Sequence, residues 1–353
     1  AEYLVFDIDG RDLHVLNAAN GETIKKISVK NNPDYKIETF SEFKNVLAAK
    51  FSNNSSMAVI SIMAMSKLLE IIVVDYKTEK LLWRFYTDKN LVSHTYPRLF
   101  DLDGDSLDEL LAGGFVFNHR GELLWKCDSY GSYQDFAAGD IDPEHKGLEV
   151  VYAGYWPDWY KKLECRGLDG YIWKLDMPWN SHHSMVADFY PDRPGMEILQ
   201  RTYGDDKSGG WRHIIVGANN GKGKILDREF VPKVPWLNMS ASNGNYPRTI
   251  YWRDNKKADI MVIERHVSQP RVAVVDAKEG NMLALVPLQG STEGGAVAAD
   301  LAGDGREEIM VWTEGLIIIY ANSEKPRKRI PCPWKDRYYR INKQIQNFIY
   351  HPF

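Results

Sequence analysis

Cysteine is scarce. Cys127, Cys165 and Cys332 are the only three in 353 residues, too few and too scattered for a disulfide framework or a zinc site. Buried thiols, with at most one bridge, are expected. Long apolar runs are missing, and none approaches the ~18–20 residues that a membrane span needs. There is no strong excess of one charge: 44 Lys and Arg stand against 48 Asp and Glu, a net charge of −4. Without a basic stripe, nucleic acid is excluded as a partner. No Ser/Gly-rich tract, charge block or low-complexity run marks a linker. One domain over residues 1–353 is therefore expected, although this length usually suggests two or three. No stretch reads as a helix.

Aromatic residues are abundant. Eleven Trp and nineteen Tyr exceed the needs of a β core. Aromatic faces serve either to stack on sugar rings or to staple neighbouring sheets, and both readings stay open.

The chain also repeats itself. FDLDGDSLDEL from Phe100 is the best-kept copy, followed by GDIDPEHKGLEV from Gly139, ADFYPDRPGMEI from Ala187 and ADLAGDGREEIMV from Ala299. Worn copies start at Ala48 and Thr249. Each couples an apolar strand, an acidic or glycine-containing loop and a second apolar strand. Anchored on Asp101, the copies recur near residues 52, 101, 140, 188, 252 and 300. A period of roughly 40–65 residues is that of β-propeller blades rather than helical solenoids. After the acidic copies come hairpin patterns, such as IIVVDYKTEKLLWRF from Ile71 and VAVVDAKEGNMLALV from Val272. Period-two alternation around Gly, Asn or Asp turns makes these β-hairpins.

The expected fold is all-β, a seven-bladed propeller, with six blades as the alternative. The segment from Tyr3 reads as an outer hairpin and that from Tyr338 as inner strands. Their pairing would close the ring and leave no exposed sheet edge.

Asp101, Asp103 and Asp105 alternate around Gly104, with Asp108 and Glu109 behind. Oxygen ligands at i, i+2 and i+4 around a glycine suit a hard cation such as Ca2+, here in a structural role. The loops at Asp140 and Asp300 are less acidic and are expected to hold themselves by side-chain bonds to backbone amides.

If the acidic loops lie on one face, the opposite rim collects His94, Tyr133, His182, His183, Tyr246 and Arg248 from strand starts. Strand ends add Tyr155, Trp156, Arg201, Tyr203, Arg265, His266 and Tyr350. This set is rich in His, Tyr and Arg and poor in the paired carboxylates of ordinary glycoside hydrolases. A lyase acting on a uronic acid needs a cation against the carboxylate, a base for the neighbouring C–H and an acid for the leaving oxygen. Singly, each of these residues is more often structural; only the cluster argues for function.

The same stretches resemble the rhamnogalacturonan lyases of polysaccharide lyase family 11. The likeness runs in patches from about residue 95 to 353. DLDGDSLDELLAGGFVFNHRGELLW is similar to the family's acidic loop, strand and turn. The segments at Gly139 and Ala187 are similar to its Asp-x-Asp-Pro…Pro-Gly-x-Glu repeats, the segment at Ala299 to its Ala-Asp-x-x-Gly-Asp-x-Arg-Glu-Glu, and YRINKQIQNFIYHPF to its closing segment. The resemblance implies a calcium-bearing propeller that eliminates across a rhamnose–galacturonate linkage, with Asn347 and Tyr350 on the family's Asn and Tyr. Departures are specific. The family's Gly-His-Gly-Asp reads Ser132-Tyr133-Gln134-Asp135, and its Asn-Gly-Thr-Lys reads Gln289-Gly290-Ser291-Thr292. Ulvan lyases and rhamnose–glucuronate lyases perform related cleavages with His, Tyr and Arg.

The resulting expectation is a polysaccharide lyase working by β-elimination on a rhamnose- and uronate-containing glycan, extracellular or periplasmic and monomeric. His94 or His183 would be the base, Tyr350 or Tyr203 the acid, and Arg201 or Arg265 the carboxylate partner. Tyr133, Tyr155, Trp156, His182, Tyr246, Arg248, His266 and Asn347 would bind substrate. A non-catalytic carbohydrate-binding or adhesion propeller and a histidine-dependent glycoside hydrolase are the alternatives.

Overall fold

The computed structural model describes residues 2–6, 12–17, 19–28, 43–53, 57–64, 68–87, 97–112, 114–127, 133–154, 161–204, 210–218, 223–227, 246–253, 257–263, 271–287, 295–313 and 315–324, with 333, 336 and 339. Every regular element among them is a β-strand. No helix among the described residues is long and apolar enough to cross a membrane, which does not bear on β-barrels.

The chain divides into two compact units, Ala1–Tyr133 and Gln134–Phe353. In the first, β1 (Glu2–Phe6), β2 (Asp12–Asn17) and β3 (Thr23–Ser28) form a three-stranded meander. Four strands follow: β4 (Phe43–Ala49), β5 (Met57–Ala64), β6 (Leu68–Asp75) and β7 (Lys80–Thr87). A third sheet comprises β8 (Arg98–Phe100), β9 (Glu109–Ala112), β10 (Phe115–Phe117) and β11 (Leu123–Lys126).

The second unit continues the pattern. Its first sheet is β12 (Tyr133–Gly139), β13 (Glu149–Gly154), β14 (Lys162–Gly167) and β15 (Gly170–Asp176). Then come β16 (Asn180–Ala187), β17 (Glu197–Gly204), β18 (Gly210–Gly217) and β19 (Lys224–Asp227). The next sheet is β20 (Tyr246–Ile250), β21 (Asp259–Ile263), β22 (Arg271–Val275) and β23 (Met282–Pro287). The last is β24 (Gly295–Ala299), β25 (Glu308–Thr313) and β26 (Leu316–Tyr320). All pairings are antiparallel between chain neighbours.

The repeat read from sequence is thus the first two strands of each full sheet, and the hairpin patterns are its outer two. The N-terminal segment read as a hairpin has a further strand, β1. The segment from Tyr338 that would close a ring lies outside the described residues, except for Tyr339.

Strands buried on both faces read as apolar runs, and consecutive sheets pack face to face inside each unit. Leu199 and Ile215 meet Ile260, Val262 and Val275 between the third- and second-last sheets. Met261, Ile263 and Val274 meet Ile309 and Val311 between the last two. In the first unit Trp83 sits between Phe51 and Phe117, with ring centroids 6.0 and 5.8 Å away. Trp83 and Phe85 therefore staple their sheet to the next through Phe115 and Phe117. Cys127 and Cys165 are both buried.

A backbone clasp recurs between sheets. Met196 N donates to Asp140 O at 2.7 Å, and Ala258 N to Asp188 O at 2.8 Å. Beside the first clasp Gly195 adopts φ +79, and a Cβ there would lie 2.2 Å from the carbonyl oxygen of Ile141. This close approach explains the glycine of the Pro-Gly-x-Glu segment.

Candidate functional site

The acidic loops come first in sequence, and their geometry is mostly internal. Asp101 accepts from Gly104 N at 2.7 Å and Ser106 N at 2.9 Å, while Glu109 accepts from Leu102 N at 2.8 Å. The same closing glutamate recurs. Glu149 accepts from Ile141 and Asp142, Glu197 from Phe189 and Tyr190, and Glu308 from Leu301 and Ala302. Asp300 takes Gly303, Asp304 and Gly305 amides, and Asp304 pairs with Arg306. These loops are self-bracing turns, as expected of those at Asp140 and Asp300.

Of the five carboxylates expected to ligate a cation, three converge. Asp101, Asp103 and Glu109 present oxygens all within 4.8 Å of one another. Three hard oxygen donors on a loop bent at Gly104 (φ +80) fit a calcium-type ion by donor chemistry. Burial, then the charges of Asp103, Asp105 and Asp101, pushes Glu109 up to about 8. Asp105 instead accepts from Leu107 N. Asp108 is fully buried and accepts from Lys50 N at 2.7 Å, bracing the neighbouring sheet.

The second feature is a buried polar row. In β17, Arg201 pairs in register with His183 of β16 on one side and His213 of β18 on the other. Directly opposite residues on adjacent strands share a face, so the three side chains stand in line across the sheet. All three are enclosed: Arg201 is 0%, His213 1% and His183 3% exposed. The next row on this face is Met185, Leu199 and Ile215, part of the apolar core. Row and core meet abruptly, hydrocarbon on one level and three cationic or imidazole groups on the next.

A bulge sets this alignment. Register shifts between Ser181 and His183, leaving His182 as the extra residue. Of the two adjacent histidines, it is His183 that pairs with Arg201. On the other face, Ser184 Oγ donates to Gln200 Oε1 at 2.6 Å, and Gln200 Nε2 to the Arg201 carbonyl at 3.0 Å. Polar layers through a sheet centre cost stability unless satisfied. Burial, then the charge of Arg201, pushes the His213 imidazole down to about 3, so that ring is neutral.

Arg201 was expected at a rim. It lies mid-strand instead, four residues beyond Glu197, or about 13 Å along the strand from the acidic loop. Arg248 of β20 is also buried, opposite Met261 of β21, on the face toward the last sheet rather than toward the Arg201 row. Tyr133 and Tyr246 open β12 and β20, and Tyr203 lies two residues beyond Arg201 in β17. His94, Tyr155, Trp156, Arg265, His266, Asn347 and Tyr350 lie outside the described residues. His213 was missed because it follows Arg212 at the head of the RHIIVG run of β18. The polar residue leading an otherwise apolar run was the available signal.

Antiparallel sheets, self-bracing acidic loops and an arginine flanked by imidazoles define a repeat-built all-β protein with a buried polar row. The model of rhamnogalacturonan lyase family 11, C-terminal domain, matches residues 62–352, and the chain belongs to this family. It is 24% identical over 302 residues to rhamnogalacturonan exolyase YesX of Bacillus subtilis (strain 168), covering 80% of this chain and 46% of that protein. It is also 24% identical over 255 residues to rhamnogalacturonan endolyase YesW of the same organism, covering 71% and 37%. The chain spans about half the length of these relatives or less. Among solved structures, exotype rhamnogalacturonan lyase YesX superposes with a TM-score of 0.70 at 20% identity, covering 96% of this chain and 57% of that one. A Bacillus licheniformis rhamnogalacturonan lyase superposes at 0.64 with 19% identity, covering 96% and 56%. The fold is shared with these proteins.

Proposed function

We propose that the chain carries a polysaccharide lyase site for a rhamnose- and uronate-containing glycan, centred on the Arg201 row. The observation that carries this reading is an enclosed arginine whose two cross-strand partners are both histidines, in a chain of this family. In β-elimination a base removes the proton α to the uronate carboxylate. The electron pair forms the ring double bond, the bond to the leaving oxygen breaks, and an acid protonates that oxygen. Arg201, barely screened because it is buried, would neutralise the carboxylate and the negative charge that develops on it. His183 beside it, or His94, would take the proton, and Tyr203 or Tyr350 would supply one. Arg265 is the alternative carboxylate partner. Tyr133, Tyr155, Trp156, His182, Tyr246, Arg248, His266 and Asn347 would bind flanking sugars.

The sheets would form one seven-bladed ring closed by the terminal segments, as a single domain acting outside the cell. Calcium held by Asp101, Asp103 and Glu109 would brace a loop, with no part in the chemistry. Incubation with rhamnogalacturonan, ulvan and gum arabic tests the reading. Growth of ultraviolet absorbance from an unsaturated uronate is expected, and its absence on all three polymers would overturn it.

The replacement of the family's His and Lys by Ser132–Asp135 and Gln289–Thr292 favours a second reading, a glycan-binding protein without turnover. Binding to the same polymers with no new product would support that instead.

A further inference from the structure

The loop between β20 and β21 is built on the same register as the acidic loop between β8 and β9. Ile250 pairs with Asp259 as Phe100 pairs with Glu109, so the two loops are equally long and Asp259 holds the place of Glu109. Counting on from Ile250 and Phe100, Tyr251 stands where the other loop has Asp101, and Arg253 where it has Asp103. One loop converges the carboxylates of Asp101, Asp103 and Glu109. Its counterpart has lost the first of them and exchanged the second for a guanidinium.

That guanidinium lies among the acids. Arg253 Nε donates to Asp259 Oδ2 at 3.1 Å, and Nη2 donates both to Asp259 Oδ1 and, at 2.6 Å, to Asp276 Oδ2. A planar fork can meet both carboxylates at once. Asp259 is fully buried and Asp276 nearly so. Asp276 opens the turn after β22 and accepts from the Lys278 and Glu279 amides, so Arg253 ties the inner loop of its sheet to the outer hairpin. Lys257 Nζ adds a bond to Asp276 at 3.1 Å. Two cations thus meet two carboxylates, and the cluster balances its own charge. Burial pushes Asp259 up to about 6 against the opposing pull of Arg253, whereas Glu109, buried with acids beside it, is pushed up to about 8.

We propose that Arg253 is an internal cation standing in for a metal ion: its loop keeps its shape without metal, and becomes a site for a hard divalent ion once a carboxylate replaces the guanidinium. Taking one partner from a buried ion pair leaves the other charge uncompensated. Asp259, Asp276 and a carboxylate at position 253 are oxygen donors of the kind calcium takes. The comparison of loops rests on the calcium reading of the Asp101 loop, and the test separates the two.

Hydrogen–deuterium exchange is measured in EDTA and in calcium for wild type, Arg253→Asp and Arg253→Lys, with calorimetric titration of calcium into each. In wild type, exchange of the β21 amides is expected to be the same in both solutions. In Arg253→Asp it should quicken at least about tenfold in EDTA and slow again in calcium, with one more calcium bound than in wild type. Arg253→Lys, which keeps the charge, should gain no calcium. Slowing of β21 exchange by calcium in wild type would overturn the proposal. So would an Arg253→Asp variant that binds no more calcium than wild type, or that fails to fold even in calcium. If wild-type residues 100–112 ignore calcium while Arg253→Asp gains a site, the calcium reading of the Asp101 loop fails and Arg253 stands as proposed.

Discussion

Tyr251 and Glu307 join two successive sheets by a reciprocal pair of hydrogen bonds. Tyr251 N donates to Glu307 Oε2 at 3.0 Å, and Glu307 N donates to Tyr251 O at 2.9 Å. Lys50 and Asp108 make the same pair in the first unit, at 2.7 and 2.9 Å. Where the first position is Asp140 or Asp188, its clasp partner is Met196 or Ala258, and only the backbone bond is present. The repeat therefore carries two versions of one joint. An acid stands at the second position when the first is not an aspartate.

Replacing Asp108 by Ala takes the carboxylate acceptor from the part-buried Lys50 amide and is expected to cost about 1–3 kcal/mol. Asp108→Asn keeps a carbonyl acceptor and should cost less. Urea denaturation with a shared m-value distinguishes them, and equal midpoints for both variants and wild type would rule out a structural role for this joint.

Glycine at 195 should be irreplaceable. Gly195→Ala adds a methyl 2.2 Å from the Ile141 carbonyl oxygen, on a backbone at φ +79. A loss of about 1–3 kcal/mol is expected, read as a lower thermal midpoint. Gly104, with nothing within 4 Å, should tolerate the same change better despite its own positive φ.

Stability should depend on pH through Glu197. Burial outweighs its bonds to the Tyr190 and Phe189 amides and pushes it from 4.5 up to about 7. A raised value means the folded state binds the proton more tightly than the unfolded chain. Its contribution is fully present below pH 4.5 and is lost as pH rises through about 7. Glu197→Gln removes this dependence. Its thermal midpoint should gain on wild type across that interval, and parallel midpoint–pH curves would disprove the assignment.

Calcium should raise the unfolding temperature by binding the native loop alone. The increment should vanish in Asp103→Ala and persist in Asp105→Asn, because only Asp103 of the two belongs to the converging trio. Isothermal titration on the same variants checks the site directly.

Arg201→Lys keeps the charge but loses the planar fork. Oligosaccharide binding and any elimination should fall at least about tenfold, with a smaller effect from Arg248→Lys, which faces a different gap between sheets. Comparable losses in both would place the site elsewhere.

Much of the architecture was legible in the residues because strand and turn signals are local. VVDYKTEKLLW folds as β6 and β7 since alternation and an aspartate-led turn lie within a dozen residues, where Asp75 accepts from Lys77 and Thr78 amides. The closing glutamates were legible for the same reason, lying six to eight residues from the amides they cap. The worn copies were harder. Pairing aligns Lys50 and Tyr251 with Asp101, one or two residues from where the sequence pattern placed them.

By itself, then, the sequence determined an all-β repeat, the turns that punctuate it and the family to which it belongs, because those depend on neighbours along the chain. Tertiary structure alone decided what individual side chains do. Asp108 serves a lysine amide 58 residues away, while its neighbour Glu109 joins Asp101 and Asp103. One extra residue at His182 slides His183 into line with Arg201, and His213 reaches that line from a strand that pairs on the far side. Register across strands is set by long-range pairing, and a shift of one residue exchanges the two faces of a sheet. No local pattern carries that information.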